Sequence, residues 1–227
     1  MINEQLVRII LGELNRIEKE YQFSQGMILS EDDLKCHLFS KLRALLPQAE
    51  PTFNPEVFGS CLHAEVKFFD EEELLTIRPD ISIIDPRHLS IYHSVEFEVK
   101  RGKAKYNNYS SKCFEVGGSA IVVELKFCRD HNGISDAELS AYKDDLEKIN
   151  RLQKIVCSRS NGHDKIYGIF AVFNKTNIGA EKVASLKTGY DTLPDIHLVY
   201  ATGNVDFKGV NPNILNSGYL VDQATIC

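Results

Sequence analysis

No apolar run in this sequence approaches the roughly 18–20 residues that a membrane span needs, so no transmembrane helix is expected. The opening stretch MINEQLVRII carries Glu4 and lacks the pattern of a cleavable signal, so export is not expected and a cytoplasmic location is. None of the six cysteines (Cys36, Cys61, Cys113, Cys128, Cys157 and Cys227) belongs to a CxxC pair, which argues for free thiols in a reducing compartment. Cys128 with His131 is the nearest approach to a metal pair, but no second pair stands at zinc-ligand spacing. Positive charge is scarce as well: 26 Lys and Arg against 32 Asp and Glu give a net charge of −6 and a pI near 5.7. That balance excludes a surface coated with cations for non-specific nucleic-acid binding, although a local basic patch remains compatible with it. The seven histidines form no cluster, and Gly117-Gly118 lacks the spacing of a phosphate-binding loop and reads as a turn. Neither an internal repeat nor a linker divides the chain.

What is present is an ordinary globular composition, 43% hydrophobic and 26% charged over 227 residues, which predicts one domain over 1–227. Leu6, Ile10, Leu14, Ile17 and Tyr21 recur at helical spacing through residues 1–22. Ser30 is a good N-cap for a second helix whose apolar face runs Leu34, Leu38, Leu42 and Leu45 before Pro47 ends it. The period then falls to two. Strands are predicted over 61–69, 77–85, 90–100 and 119–127, with the acidic run at 70–74 as a solvated turn. Helical spacing returns over 135–155 through Leu139, Tyr142, Leu146, Ile149 and Leu152. A strand over 165–174, a short helix near 179–187 and a strand over 196–201 complete the series. This order predicts an α/β fold with a mixed central sheet flanked by helices, preceded by an N-terminal helix and extended by C-terminal additions.

The strand SAIVVELKF, 119–127, poses the functional question, because Glu124 and Lys126 interrupt an otherwise apolar run. Residues two apart on a strand share a face, so Val122, Glu124 and Lys126 point one way and Ile121, Val123, Leu125 and Phe127 the other. By the same rule Asp80, Ser82 and Ile84 share a face in RPDISIID. If the two strands are neighbours, Asp80, Glu124 and Lys126 converge. Two crowded carboxylates repel unless a cation lies between them, and hard oxygen ligands with room for water suit Mg2+. A lysine beside such an ion can orient water or offset charge on a phosphate, which is chemistry for cutting a phosphodiester bond. The plain alternative is a salt-bridged cluster.

RPD at 78–80 and then ELK at 124–126, with a helix before and a helix and strand after, resembles the PD-(D/E)XK nuclease superfamily. The resemblance covers roughly 28–175 and implies a restriction-endonuclease-like core that hydrolyses nucleic acid, usually DNA, with Mg2+ or Mn2+. It implies Asp80 and Glu124 as metal ligands and Lys126 as the residue that positions water. The family often adds an acid on its first core helix. Glu31, three positions before Leu34 and seven before Leu38, lies on the buried face, whereas Asp32 and Asp33 turn away. First-turn acids also complement the helix dipole, and that role stays open for Glu31.

A rival pair, Glu98 and Lys100, has the same spacing in VEFEVK. The downstream context favours Glu124 and Lys126: a helix carrying Asp145 and then a strand come after Lys126, whereas Lys100 leads into a basic loop. In the losing case the acids of 96–100 form cross-strand ion pairs on a solvated face. The loop over 100–112 holds Lys100, Arg101, Lys103, Lys105 and Lys112 with Tyr106 and Tyr109 between them and no acid. Basic residues interleaved with aromatics suit a phosphate backbone and exposed bases, and equally a soluble hairpin tip. His63 and Glu65 alternate on the first strand and either face the site or lie on the surface, the second being the favoured reading. DNA is the expected partner, RNA and a homodimer stay open, and a catalytically inactive binding or scaffold subunit of the same fold is the alternative.

Overall fold

The computed structural model describes residues 2–72, 74–91, 96–100, 103–107, 114–190, 193 and 195–206, with the backbone alone at 91, 96–100, 103–107 and 115. The chain opens with helix α1 (Glu4–Phe23), capped by the Asn3 side chain, which accepts from Leu6 N at 3.0 Å. Its buried stripe of Leu6, Ile10, Leu14, Ile17 and Tyr21 matches the sequence periodicity. Helix α2 (Glu31–Leu45) starts at Ser30, whose Oγ accepts from Asp33 N at 3.1 Å, while the Asp33 carboxylate accepts from Leu29 N at 2.9 Å. Leu34, Leu38 and Leu42 are buried as expected. Leu45 is exposed, because the backbone turns extended at Leu46 and buries that side chain instead.

Short strands β1 (Glu50–Pro51) and β2 (Phe58–Gly59) form a hairpin, and β3 (Leu62–Ala64) and β4 (Ile81–Ile84) come next. Both latter strands are shorter than the alternation predicts. Glu65 ends β3 with a left-handed φ of 54°, and beyond it the two segments are joined by the Glu65 N–H to Asp80 O bond and the isolated bridge Phe68–Ile77. Pro79 has no N–H for a ladder, so β4 begins beyond it. The predicted strand 90–100 divides into β5 (Leu89–Ile91) and β6 (Glu96–Lys100). β6 pairs with β7 (Lys103–Asn107), so the basic segment is in part a hairpin strand rather than a loop. β5 pairs with β8 (Phe114–Val116), and Gly118 turns at φ +84° with the His88 ring 3.0 Å from where a Cβ would stand.

Then come β9 (Ala120–Cys128), α3 (Asp136–Arg159), β10 (Ile166–Asn174), α4 (Ala180–Tyr190) and β11 (Ile196–Thr202). The main sheet has the order β11-β10-β9-β4-β3, parallel across β11, β10 and β9 and antiparallel across β9, β4 and β3. It is a mixed α/β architecture. On one face Ile81, Ile83, Ile121, Val123, Leu125 and Phe173 pack against the leucines and isoleucines of α1 and α2. On the other, Ile84, Val122, Phe170 and Val172 pack against Tyr142, Leu146 and Ile149 of α3 and Val183 and Leu186 of α4. Parallel strands covered on both faces explain why β10 is buried from end to end and apolar up to its last residue, Asn174. None of the described helices is long and apolar enough to cross a membrane.

Helix α3 begins with a full capping box: Ser135 Oγ accepts from Glu138 N at 3.2 Å and Glu138 accepts from Ser135 N at 2.8 Å. Ser135→Ala should cost about 1 kcal/mol, read as a lower urea midpoint at unchanged slope, because it orphans an N-terminal amide.

Candidate active site

Antiparallel β4 and β9 pair Ile81 with Val123, and one further step along that register brings Asp80 opposite Glu124. There the two strands part. β9 runs on past the last paired residue, and its Leu125 and Phe127 amides point to where β4 would have continued. Side chains take over: Asp80 Oδ2 accepts from Leu125 N at 2.8 Å, and Glu31 Oε2, from the first turn of α2, accepts from Phe127 N at 3.3 Å. Buried amides require acceptors, so the splayed strands fix both acids beside β9. This contact gives Glu31 a place in the site beyond its effect on the helix dipole.

Glu124 and Lys126 lie on the α3 face of β9, with Phe170 and Val172 of β10 as their parallel partners. Lys126 Nζ stands 2.7 Å from Glu124 Oε1 and 2.8 Å from Asp145 Oδ2 of α3, whose other oxygen takes Lys148 Nζ at 2.6 Å. The side chains of Asp80, Glu124, Lys126 and Asp145 keep 15–17% of their accessible surface, so the cluster is half-dry but reachable from solvent. The ion pair is therefore not sealed in the core.

Cations are outnumbered here, and the proton affinities reflect it. Burial pushes the Glu124 carboxyl up to about 7; Lys126 works against this, and nearby Asp80 and Asp145 add to it. Burial also raises Asp80, opposed by the Leu125 amide and by Lys126 and Lys35. Glu31 rises for the same first reason, with Lys126 lowering it and Asp80 raising it further. At Lys126 burial disfavours the ammonium, but Glu124 and Asp145 outweigh it and the net shift is upward. At Asp145 burial is overcome by the hydrogen bonds from Lys126 and Lys148, and the net shift is downward. One ammonium thus serves two carboxylates: Asp145, which has a second cation, stays readily ionised, and Glu124 is left short of positive charge.

Two further residues join the cluster, of which Lys35 was not among the sequence candidates and Glu65 was favoured as surface. Lys35 Nζ lies 2.8 Å from Asp32, 2.7 Å from Glu65 and 3.8 Å from Asp80 Oδ1. Its position four residues after Glu31 on one helix face was the available signal. Glu65, read as surface, donates its N–H to Asp80 O at 3.0 Å and its carboxylate also meets Arg78 at 3.7 Å. His63, on β3, hydrogen-bonds Ser60 O at 2.8 Å, just before its own strand. Ser82 is fully buried, and its Oγ has no partner among the described residues.

The rival Glu98 and Lys100 lie in β6, whose described partner is β7, with Glu98 opposite Lys105 and Lys100 opposite Lys103. Lys100, Lys103, Lys105 and Tyr106 are placed by backbone only, and Arg101, Tyr109 and Lys112 lie outside the described residues.

Among the described residues no group of three His, Cys, Asp or Glu side chains is assembled as a metal site. The donor set nevertheless suits a hard cation. Asp80 Oδ1, Glu124 Oε2 and Glu31 Oε1 accept no hydrogen bond among the described residues, since each acid uses only its other oxygen there. Partly desolvated oxygens in excess of the local positive charge are what Mg2+ or Mn2+ binds. No protein-family model, curated protein or solved structure matches this chain.

Proposed function

We propose that the protein is a metal-dependent nuclease of restriction-endonuclease-like fold, its core spanning about 28–175, that hydrolyses phosphodiester bonds in DNA. The observation that carries this reading is the splayed β4–β9 junction, which sets Asp80 across from Glu124, with Lys126 two residues on and shared between Glu124 and Asp145. Asp80 and Glu124 would hold Mg2+, or Mn2+ in its place, which supplies a Lewis acid for a phosphoryl oxygen and lowers the pKa of water. Asp80 is oriented for this by the Leu125 amide, and Glu31 by the Phe127 amide. Lys126 keeps its ammonium beside Glu124, where it can orient the attacking water or offset charge growing on the phosphate. Lys100, Arg101, Lys103, Lys105 and Tyr106 would meet the DNA backbone.

The test is cleavage of plasmid and oligonucleotide substrates with Mg2+ and Mn2+. Wild type should cut and be stopped by chelator, while Asp80→Ala and Lys126→Ala should lose at least about a hundredfold in rate. Equal cleavage by all three removes the assignment. A second reading, an inactive nuclease-fold subunit that binds nucleic acid, is favoured by one feature: Lys126 already has an acceptor on each side. Metal uptake without turnover on any substrate would select it.

A further inference from the structure

Lys126 has two carboxylate partners on different elements, and they are not equivalent. Glu124 belongs to the same strand and is one of the two acids assigned to the metal. Asp145 comes from α3, three residues after Tyr142 and one before Leu146, both buried against the sheet. The Tyr142 ring meets Phe170 edge-on, with centroids 6.0 Å apart, so the backbone that carries Asp145 is fixed by packing. Lys148, half-exposed on the next turn, neutralises the oxygen of Asp145 that Lys126 does not use.

We propose that Asp145 is a positioning residue that retains the Lys126 ammonium while Glu124 is released to a divalent cation, an inference that rests on the metal-site reading above. The charged groups facing Lys126 are Glu124 on its own strand, Asp145 with Lys148 on α3, Asp80 before β4 and Glu31 on α2. A cation drawn to the Oε2 of Glu124 draws on the same carboxylate charge that Lys126 pairs with through Oε1, and so weakens the bond from Lys126. Were Glu124 the only acceptor, metal binding would strand an ammonium in a half-dry site, and that penalty would be subtracted from metal affinity. Asp145, 2.8 Å away, removes the penalty: the exchange at Glu124 leaves Lys126 hydrogen-bonded and held close to the acid it has left. Asp145 itself touches neither metal nor substrate in this scheme and acts only through Lys126.

The experiment is calorimetric titration of the full chain with Mn2+, in wild type, Asp145→Ala, Lys126→Met and the double variant, with Asp145→Glu as the conservative change. Asp145→Asn, which keeps the shape and removes the charge, replaces the alanine variant if urea unfolding shows that variant to be unfolded. Asp145→Ala should weaken Mn2+ binding about tenfold, as loss of a residue that orients a metal-site group does, and Asp145→Glu should recover most of it. In the Lys126→Met background the same change should have no effect, because there is no ammonium left to hold. An equal loss in both backgrounds, or no loss in either, overturns the proposal. Wild type that takes up no Mn2+, or takes it up equally after Asp80→Ala, defeats the metal reading and this inference together. Uptake that needs Asp80 but ignores Asp145 defeats this inference alone.

Discussion

Glu124→Gln should make the folded protein more stable, by about 1–3 kcal/mol at pH 8, while abolishing metal-dependent activity. A carboxyl with an ordinary pKa of 4.5 is pushed up to about 7 by burial in the folded state, with only partial relief from Lys126. Between those two values the folded protein holds a proton that the unfolded chain has lost, so stability falls as pH rises through 4.5 to 7 and the penalty is complete above it. Glutamine has the shape of the protonated acid and carries no such penalty. The gain should accordingly be absent near pH 4, grow across that window and level off above pH 7. Urea unfolding of both proteins from pH 4 to 8 measures it. A variant that is less stable than wild type at pH 8 would show that the Lys126 bond outweighs desolvation. A divalent cation should act with the opposite sign, stabilising wild type more at pH 8 than at pH 6, because it requires the ionised acid. Residues kept at a cost in stability are typical of sites retained for function.

Phe170→Ala should lose about 3–5 kcal/mol of stability, the largest effect expected of any single change proposed for this protein. Phe170 has no accessible surface, packs edge-on against Tyr142 and is the parallel partner of Glu124 in the sheet. Its removal leaves a cavity between β10 and α3 on the face that carries the acid. Phe170→Leu, which refills most of that volume, should lose only about 1–2 kcal/mol. If water enters the alanine cavity, the desolvation acting on Glu124 weakens and its pKa should drop from about 7 toward 4.5, which a carbon-detected NMR titration reads directly. A loss below about 1 kcal/mol in the alanine variant would mean that α3 collapses onto the sheet and that Phe170 does not set the depth of the site.

The order of the long helices and of the five main-sheet strands was legible from periodicity, as were the opposite faces of β9, whereas the short strands β1, β2, β7 and β8 were not. One side of that strand belongs to α1 and α2 and the other to α3, as the alternation of Ile121, Val123 and Leu125 with Val122, Glu124 and Lys126 implies. Strand lengths were less legible. The alternation in 61–69 and 77–85 continues past the points where Glu65 adopts a left-handed turn and Pro79 withholds a donor. A side-chain pattern does not register either event until pairing is known. The rivalry between Glu124/Lys126 and Glu98/Lys100 had the same origin, since two identical local patterns differ only in which sheet they join.

Sequence alone determined that an acid and a base share one face of a buried strand, because a period of two is a property of the extended chain. It also placed Glu31 on the inner side of its helix. Only the tertiary structure decided that β4 and β9 part where Asp80 and Glu124 meet, so that carboxylates rather than a backbone strand receive the Leu125 and Phe127 amides. Tertiary packing likewise brought Asp145, Lys35 and Glu65 to the cluster from distant segments. The reason is physical: local periodicity is set by bonds and dihedrals, whereas charge compensation is set by whatever folding places within a few ångströms, and that depends on the whole chain.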